Sequence, residues 1–66
     1  VTITLNGERR EIAGAKNVRE LLDELQLPPH ALLVEHNGKA LRKEEWRSSE
    51  LRDADRIEII RIVAGG

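Results

Sequence analysis

The chain ends in Ala64-Gly65-Gly66, directly after an apolar, strand-like run from Ile57 to Val63. Glycine is the costliest residue to order and has no side chain to pack. A strand that only had to stop would more cheaply end in a polar residue. Two residues without Cβ suit a tail that threads a narrow slot in another protein and presents its carboxylate unhindered. A frayed terminus, where disorder concentrates, or a remnant of expression accounts for the tail equally well when it is taken alone. Other candidates for chemistry are sparse. His30 and His36 have no carboxylate or thiol cluster around them in sequence, so they read as isolated surface histidines rather than metal ligands. Asp53 and Asp55 are spaced for acid–base work, but turn chemistry explains them better, because Asp hydrogen-bonds nearby backbone in turns.

Composition narrows the possibilities. Sixty-six residues make one small domain, which buries only about 60% of the surface of its unfolded chain. A deep, water-excluding pocket of the kind a self-contained enzyme uses has no room in it. There is no Cys, so neither a disulfide nor a side-chain thiol is at hand. The core must be Leu, Ile and Val around the single Trp46, which reads as a packing residue more readily than as a partner anchor. The formal charge is −1 with mixed signs along the chain, and there is no basic stripe or aromatic platform for nucleic acid. No segment has membrane-spanning length and no signal peptide is visible, so a cytoplasmic setting is expected.

The elements that must carry the tail follow from local pattern. Val1, Ile3 and Leu5 alternate with Thr2 and Thr4, the period of a half-buried strand. Asn6-Gly7 marks a hairpin, and the charged return strand Glu8 to Ile12 belongs at a sheet edge. Ala13 to Lys16 connects to a helix with Asn17 as N-cap and Glu20 closing a capping box. Val18, Leu21, Leu22 and Leu25 share one helix face, Arg19 and Asp23 are spaced for an i,i+4 pair, and Pro28-Pro29 is expected to stop the helix. Leu32 to Val34 form an apolar run, Asn37-Gly38 a second tight turn, and Lys39 to Leu41 a short return strand. Arg42 to Glu50 is polar except for Trp46 and reads as a loop or irregular helical turn. There Arg42, Lys43, Glu44, Glu45 and Arg47 make a solvated face. Leu51 tucks inward before a turn at Asp53-Ala54-Asp55, and the last strand spans Arg56 to Val63. The result is an α+β domain with one helix over a sheet face.

The last strand breaks its own phase. Ile57 and Ile59 alternate with Arg56 and Glu58, but Ile60 and Ile62 fall on the charged side. Either a bulge resets the register, or these side chains are exposed ahead of the tail as a docking surface.

These features together resemble the sulfur carrier proteins of thiamine biosynthesis, the ThiS type, over essentially the whole chain. The residues carrying the resemblance are Leu5-Asn6-Gly7-Glu8, Val18 with Leu21-Leu22, Val34-Glu35-His36-Asn37-Gly38 and the Glu45-Trp46 region. They continue through Leu51, Asp53, Asp55 and Ile57-Glu58-Ile59 to the tail. The resemblance implies a β-grasp, ubiquitin-like fold: a mixed sheet of four to five strands, one main helix on one face, residues 1–63 as a single domain and 64–66 as a tail. It implies that Gly66 is the point of covalent AMP and sulfur attachment and that Ala64 and Gly65 thread partner active sites; the docking role expected for Ile60 and Ile62 rests on the phase break alone. Implied partners are an E1-like adenylating enzyme using ATP, a persulfide sulfur donor and a thiazole synthase. No tightly bound cofactor, metal, nucleic acid or membrane is implied. The free protein is expected to be a monomer and a covalent cosubstrate rather than an enzyme.

Two departures stand out. The family commonly ends in three glycines, whereas here Ala64 occupies the first of those positions. The family's Asp-Gly-Asp turn is here Asp53-Ala54-Asp55, which costs roughly 1–2 kcal/mol if the middle residue needs positive φ. The same fold and chemistry also fit the small subunit of molybdopterin synthase. A ubiquitin-like modifier, with Gly66 joined to target lysines, and a non-covalent β-grasp binding module are alternatives of a different class.

Overall fold

The computed structural model describes residues 1–62; residues 63–66 lie outside the described part. Strand β1 (Thr2–Leu5) turns through Asn6-Gly7 into β2 (Glu8–Glu11), which is exposed along its whole length. Asn6 and Gly7 both hold positive φ, 49° and 82°, the turn whose twist matches a right-handed hairpin. The pairing runs from Leu5 opposite Glu8 to Thr2 opposite Glu11.

Helix α1 (Val18–Glu24) starts at Asn17, whose backbone is extended and whose side-chain Oδ1 accepts the Glu20 N–H at 2.8 Å. The expected capping box is shifted by one residue, because the Glu20 carboxylate accepts from the Lys16 N–H at 2.8 Å. The helix also ends earlier than the prolines require. Gln26 adopts φ 58°, and the Gln26 and Leu27 N–H groups donate back to the Asp23 and Leu22 carbonyls, both at 3.0 Å. This is a Schellman cap, with Gln in the position glycine usually takes. Pro28-Pro29 therefore follows a helix that has already stopped. The Arg19–Asp23 pair forms at 3.5 Å.

Strand β3 (Leu32–His36) turns through Asn37-Gly38 into β4 (Lys39–Leu41), and a short 3-10 turn (Lys43–Glu45) leads to Trp46. Strand β5 (Arg56–Arg61) completes a five-stranded mixed sheet in the order β2-β1-β5-β3-β4. It runs parallel to β1 and antiparallel to β3. Hairpin and turn signals do not fix this adjacency, because the central β1–β5 pairing joins the two ends of the chain. Leu21, Leu22 and Val18 of the helix pack with Ile3, Val34, Ile57, Leu51 and Trp46 into one core. Trp46 is 2% exposed, so it is a packing residue.

The turn into β5 does need positive φ at its middle residue: Ala54 stands at 72°, where a Cβ is strained. It is held there by its own N–H, which donates to Thr2 O at 2.8 Å, while Asp53 Oδ1 accepts the Thr2 N–H at 2.8 Å.

Candidate functional site

Of the sequence-predicted tail residues, Ala64, Gly65 and Gly66 lie outside the described residues; the strand that launches them is described to Ile62. Its register against β3 is unbroken, with Glu35 opposite Glu58, Val34 opposite Ile59, Leu33 opposite Ile60 and Leu32 opposite Arg61. No bulge resets the phase. Ile57 is therefore buried on the helix side, while Ile60 and Ile62 stand on the outer face, 53% and 48% exposed, beside Leu33 at 53%. Three aliphatic side chains thus form an apolar patch at the root of the tail.

Both Asn-Gly turns reach across to this strand. The Asn6 N–H donates to Ile57 O at 2.9 Å. Its side-chain amide then pairs with the Ile59 peptide on both sides: Oδ1 accepts the Ile59 N–H at 2.8 Å and Nδ2 donates to Ile59 O at 3.2 Å. A side chain replaces the strand that β1 no longer supplies. At the other end, Asn37 Oδ1 accepts the Arg56 N–H at 2.8 Å, and Asn37 Nδ2 donates to Asp55 Oδ1 at 3.0 Å. An amide offers both a donor and an acceptor, which Asp or Gly at the same turn position would not.

His36 corrects the reading from sequence. It is not an isolated surface residue: Nε2 lies 2.7 Å from Asp55 Oδ2 and Nδ1 lies 2.7 Å from Ser49 Oγ. Asp55 also accepts the Arg52 N–H at 2.9 Å and is 9% exposed. Burial pushes its carboxyl up, but the hydrogen bonds from Asn37, His36 and Arg52 outweigh that and hold it below the usual carboxylate range. An ionised Asp55 can only accept, so Nε2 carries a hydrogen. Neutral His36 then accepts the Ser49 hydroxyl at Nδ1, and a protonated ring donates on both sides. The network ties β3, the segment after the 3-10 turn and the start of β5 at the end of the sheet away from the tail. Its members are 13 and 19 residues from His36, so no local spacing signals it.

Among the described residues no group of three His, Asp or Glu side chains is placed to hold a metal ion, and no helix is long and apolar enough to cross a membrane. The geometry supplies a rigid domain, a clamped exit strand and an apolar patch beside the exit.

The family model described as "ThiS family" matches residues 3–66. A sulfur carrier protein ThiS from Thermus thermophilus is 33% identical over 64 residues, covering 97% of this chain and 98% of that protein. A thiazole synthase from Paramagnetospirillum magneticum is 30% identical over 64 residues; these cover 97% of this chain, which spans only 20% of that protein's length. The crystal structure of the thiamine biosynthesis protein ThiS from Geobacter metallireducens superposes with a TM-score of 0.83 at 32% identity, over 100% of both chains.

Proposed function

Starting from the fact that this chain belongs to the ThiS family, we propose that it is a sulfur carrier whose C-terminal Gly66 carboxylate becomes a thiocarboxylate for thiazole formation. The match to the family over residues 3–66, which includes the tail, is the observation that carries this reading. The Geobacter structure supports the β-grasp frame for it.

A free carboxylate is a poor electrophile. An E1-like adenylating enzyme would join the Gly66 carboxylate oxygen to the α-phosphorus of ATP, releasing pyrophosphate. A persulfide then attacks the acyl carbon and AMP leaves. A thiol taking up the donor's sulfur as a disulfide releases the Gly66 thiocarboxylate. Its sulfur is nucleophilic and would pass to a thiazole synthase. That partner is suggested by the relative of that name, one fifth of whose length resembles this chain.

On this reading the protein is a cosubstrate: its own residues position the tail, and the partners supply the acid–base chemistry. ATP belongs to the adenylating enzyme. Ala64 and Gly65 let the tail pass through the entrances of two enzymes in turn, and the Leu33, Ile60 and Ile62 patch offers an apolar docking face beside the exit.

The test is intact mass after incubation with an E1-like adenylating enzyme, ATP and a persulfide source. The expected result is one oxygen replaced by sulfur, localised to Gly66, with loading impaired in Gly66→Ala. An unchanged mass with an adenylating enzyme active on another carrier overturns the reading. Covalent ladders on target proteins would indicate a modifier instead.

A further inference from the structure

The sheet stops being paired on one side of β5 just before the tail leaves. Strands alternate the direction of their peptide groups residue by residue. Ile62 donates its N–H to Ala31 O at 2.7 Å and Arg56 O accepts from the Asn37 N–H at 2.8 Å, so the even residues of β5 bond toward β3. The odd residues face β1. Ile57 O is taken by the Asn6 N–H, and both polar groups of the Ile59 peptide are taken by the Asn6 side chain. Arg61 comes next in that series. Among the described residues its N–H and C=O have no partner on the β1 side, since the β1–β5 ladder ends at Leu5 opposite Ile57. Its guanidinium has no carboxylate partner among them either.

Directly beneath this open edge lies a groove walled by Leu5, Leu25, Leu27, Leu32, Ile59 and Arg61. An unpaired donor and acceptor specify a main-chain occupant, an apolar floor takes one of its side chains, and an unpaired Arg takes a carboxylate. The chain's own tail is a poor occupant. To come back onto Arg61 it would have to reverse through Ile62-Val63, β-branched residues at positions where a tight hairpin needs positive φ. A second copy centred on Arg61 would set two guanidiniums opposite one another.

We propose that this edge of β5, with the groove below it, receives an extended segment of the adenylating enzyme as the tail enters. That segment brings an apolar residue for the groove and a carboxylate for Arg61. The inference rests on the sulfur-carrier reading and adds to it where and how the partner grips the exit strand. The surface is distinct from the Leu33, Ile60 and Ile62 patch, which lies on the opposite face of the sheet.

The outward N–H gives a clean test. Because it makes no bond among the described residues, Arg61→Pro removes a donor without breaking a described ladder bond, and Arg61→Ala controls for the side chain. Affinity for the adenylating enzyme, melting temperature and thiocarboxylate loading are measured for both. Arg61→Pro is expected to bind about tenfold more weakly than Arg61→Ala, the effect of one interface hydrogen bond, with melting temperatures within a few degrees. Equal affinities, with wild type loading normally, overturn this inference and leave the carrier reading standing. A wild-type protein that is never loaded overturns both. If Arg61→Pro proves unstable, Arg61→Glu decides: binding weaker than that of Arg61→Ala supports a facing carboxylate, and equal binding refutes it. A dimer that Arg61→Pro dissolves would assign the edge to a second copy and refute the proposal.

Discussion

Asp55→Asn tests whether the His36 network holds the sheet together. Asp55 accepts three hydrogen bonds, from His36, Asn37 and the Arg52 backbone. With the Asn amide nitrogen in the Oδ2 position, the Arg52 N–H faces a donor. With it in the Oδ1 position, Asn37 Nδ2 faces a donor, and Asn37 cannot flip because its Oδ1 holds the Arg56 N–H. Either way one N–H is orphaned, at about 1–3 kcal/mol, and the remaining bonds lose their charge. The expected loss is about 2–4 kcal/mol, against a total of roughly 3–10 kcal/mol for a domain of this length. Melting should fall by on the order of 10–30 °C. Urea unfolding followed by the fluorescence of Trp46, the single and buried tryptophan, gives the free energy directly. The sign with pH follows from the lowered carboxyl of Asp55. Its contribution is complete above the unfolded pKa, about 3.9, and is lost as pH falls toward the lower folded value. The gap between wild type and variant should therefore shrink in that acid window. A loss under about 0.5 kcal/mol at neutral pH, within the range of an ordinary surface change, would refute the reasoning.

Ala54→Gly should stabilise the protein: relief of strain at φ 72°, about 1–2 kcal/mol, exceeds the entropy cost of glycine, about 0.5–1 kcal/mol. The check is a melting temperature several degrees higher; a lower one would show that Ala54 is unstrained. Glu24→Gln should destabilise by about 1 kcal/mol, already reduced for solvent exposure. Hydrogen bonds from the Ala13 and Gly14 N–H groups, opposed by desolvation and joined by Ala15, hold its carboxyl below the usual range. A stabilised variant in urea would mean that relieving an acid at a helix C-terminus outweighs those bonds. Ile60→Glu should change stability by less than about 0.5 kcal/mol, because the side chain is exposed, while weakening partner binding in a direct titration. A large melting shift would make Ile60 a core residue.

What the sequence disclosed depended on how local each cause is. Both hairpins were legible because Asn-Gly carries its own positive φ, and the face shared by Val18, Leu21 and Leu22 was legible from its period. The helix end was misplaced because Gln26 occupies a left-handed cap normally signalled by glycine, and the visible prolines drew attention to a later point. His36 looked solitary because Ser49 and Asp55 reach it only through the tertiary fold. The phase break at Ile60 and Ile62 could be read from the sequence, whereas choosing between a bulge and exposure required the register with β3. The family resemblance implied a mixed sheet of four to five strands, but the order β2-β1-β5-β3-β4 was legible in no residue pattern, since it rests on a parallel pairing between distant segments.

The connections converge on β5. It lies centrally between β1 and β3, it begins at the Asp55 network, and each Asn-Gly turn lends it a side-chain amide. Asn6 acts at Ile59, where β1 has already ended, so the strand is kept in register two residues past the point where its neighbour could hold it. A carrier domain needs that arrangement. On the sulfur-carrier reading, the exit strand must not shift when a partner draws on the tail. Clamping at Ile59 and, among the described residues, an Arg61 peptide without a partner on the β1 side mark where β5 passes from two-sided to one-sided support, with Ile60 and Ile62 exposed beside it. Up to Ile59 the strand is bound on both sides by the domain's own hydrogen bonds, and from there to Ile62 β3 alone holds it.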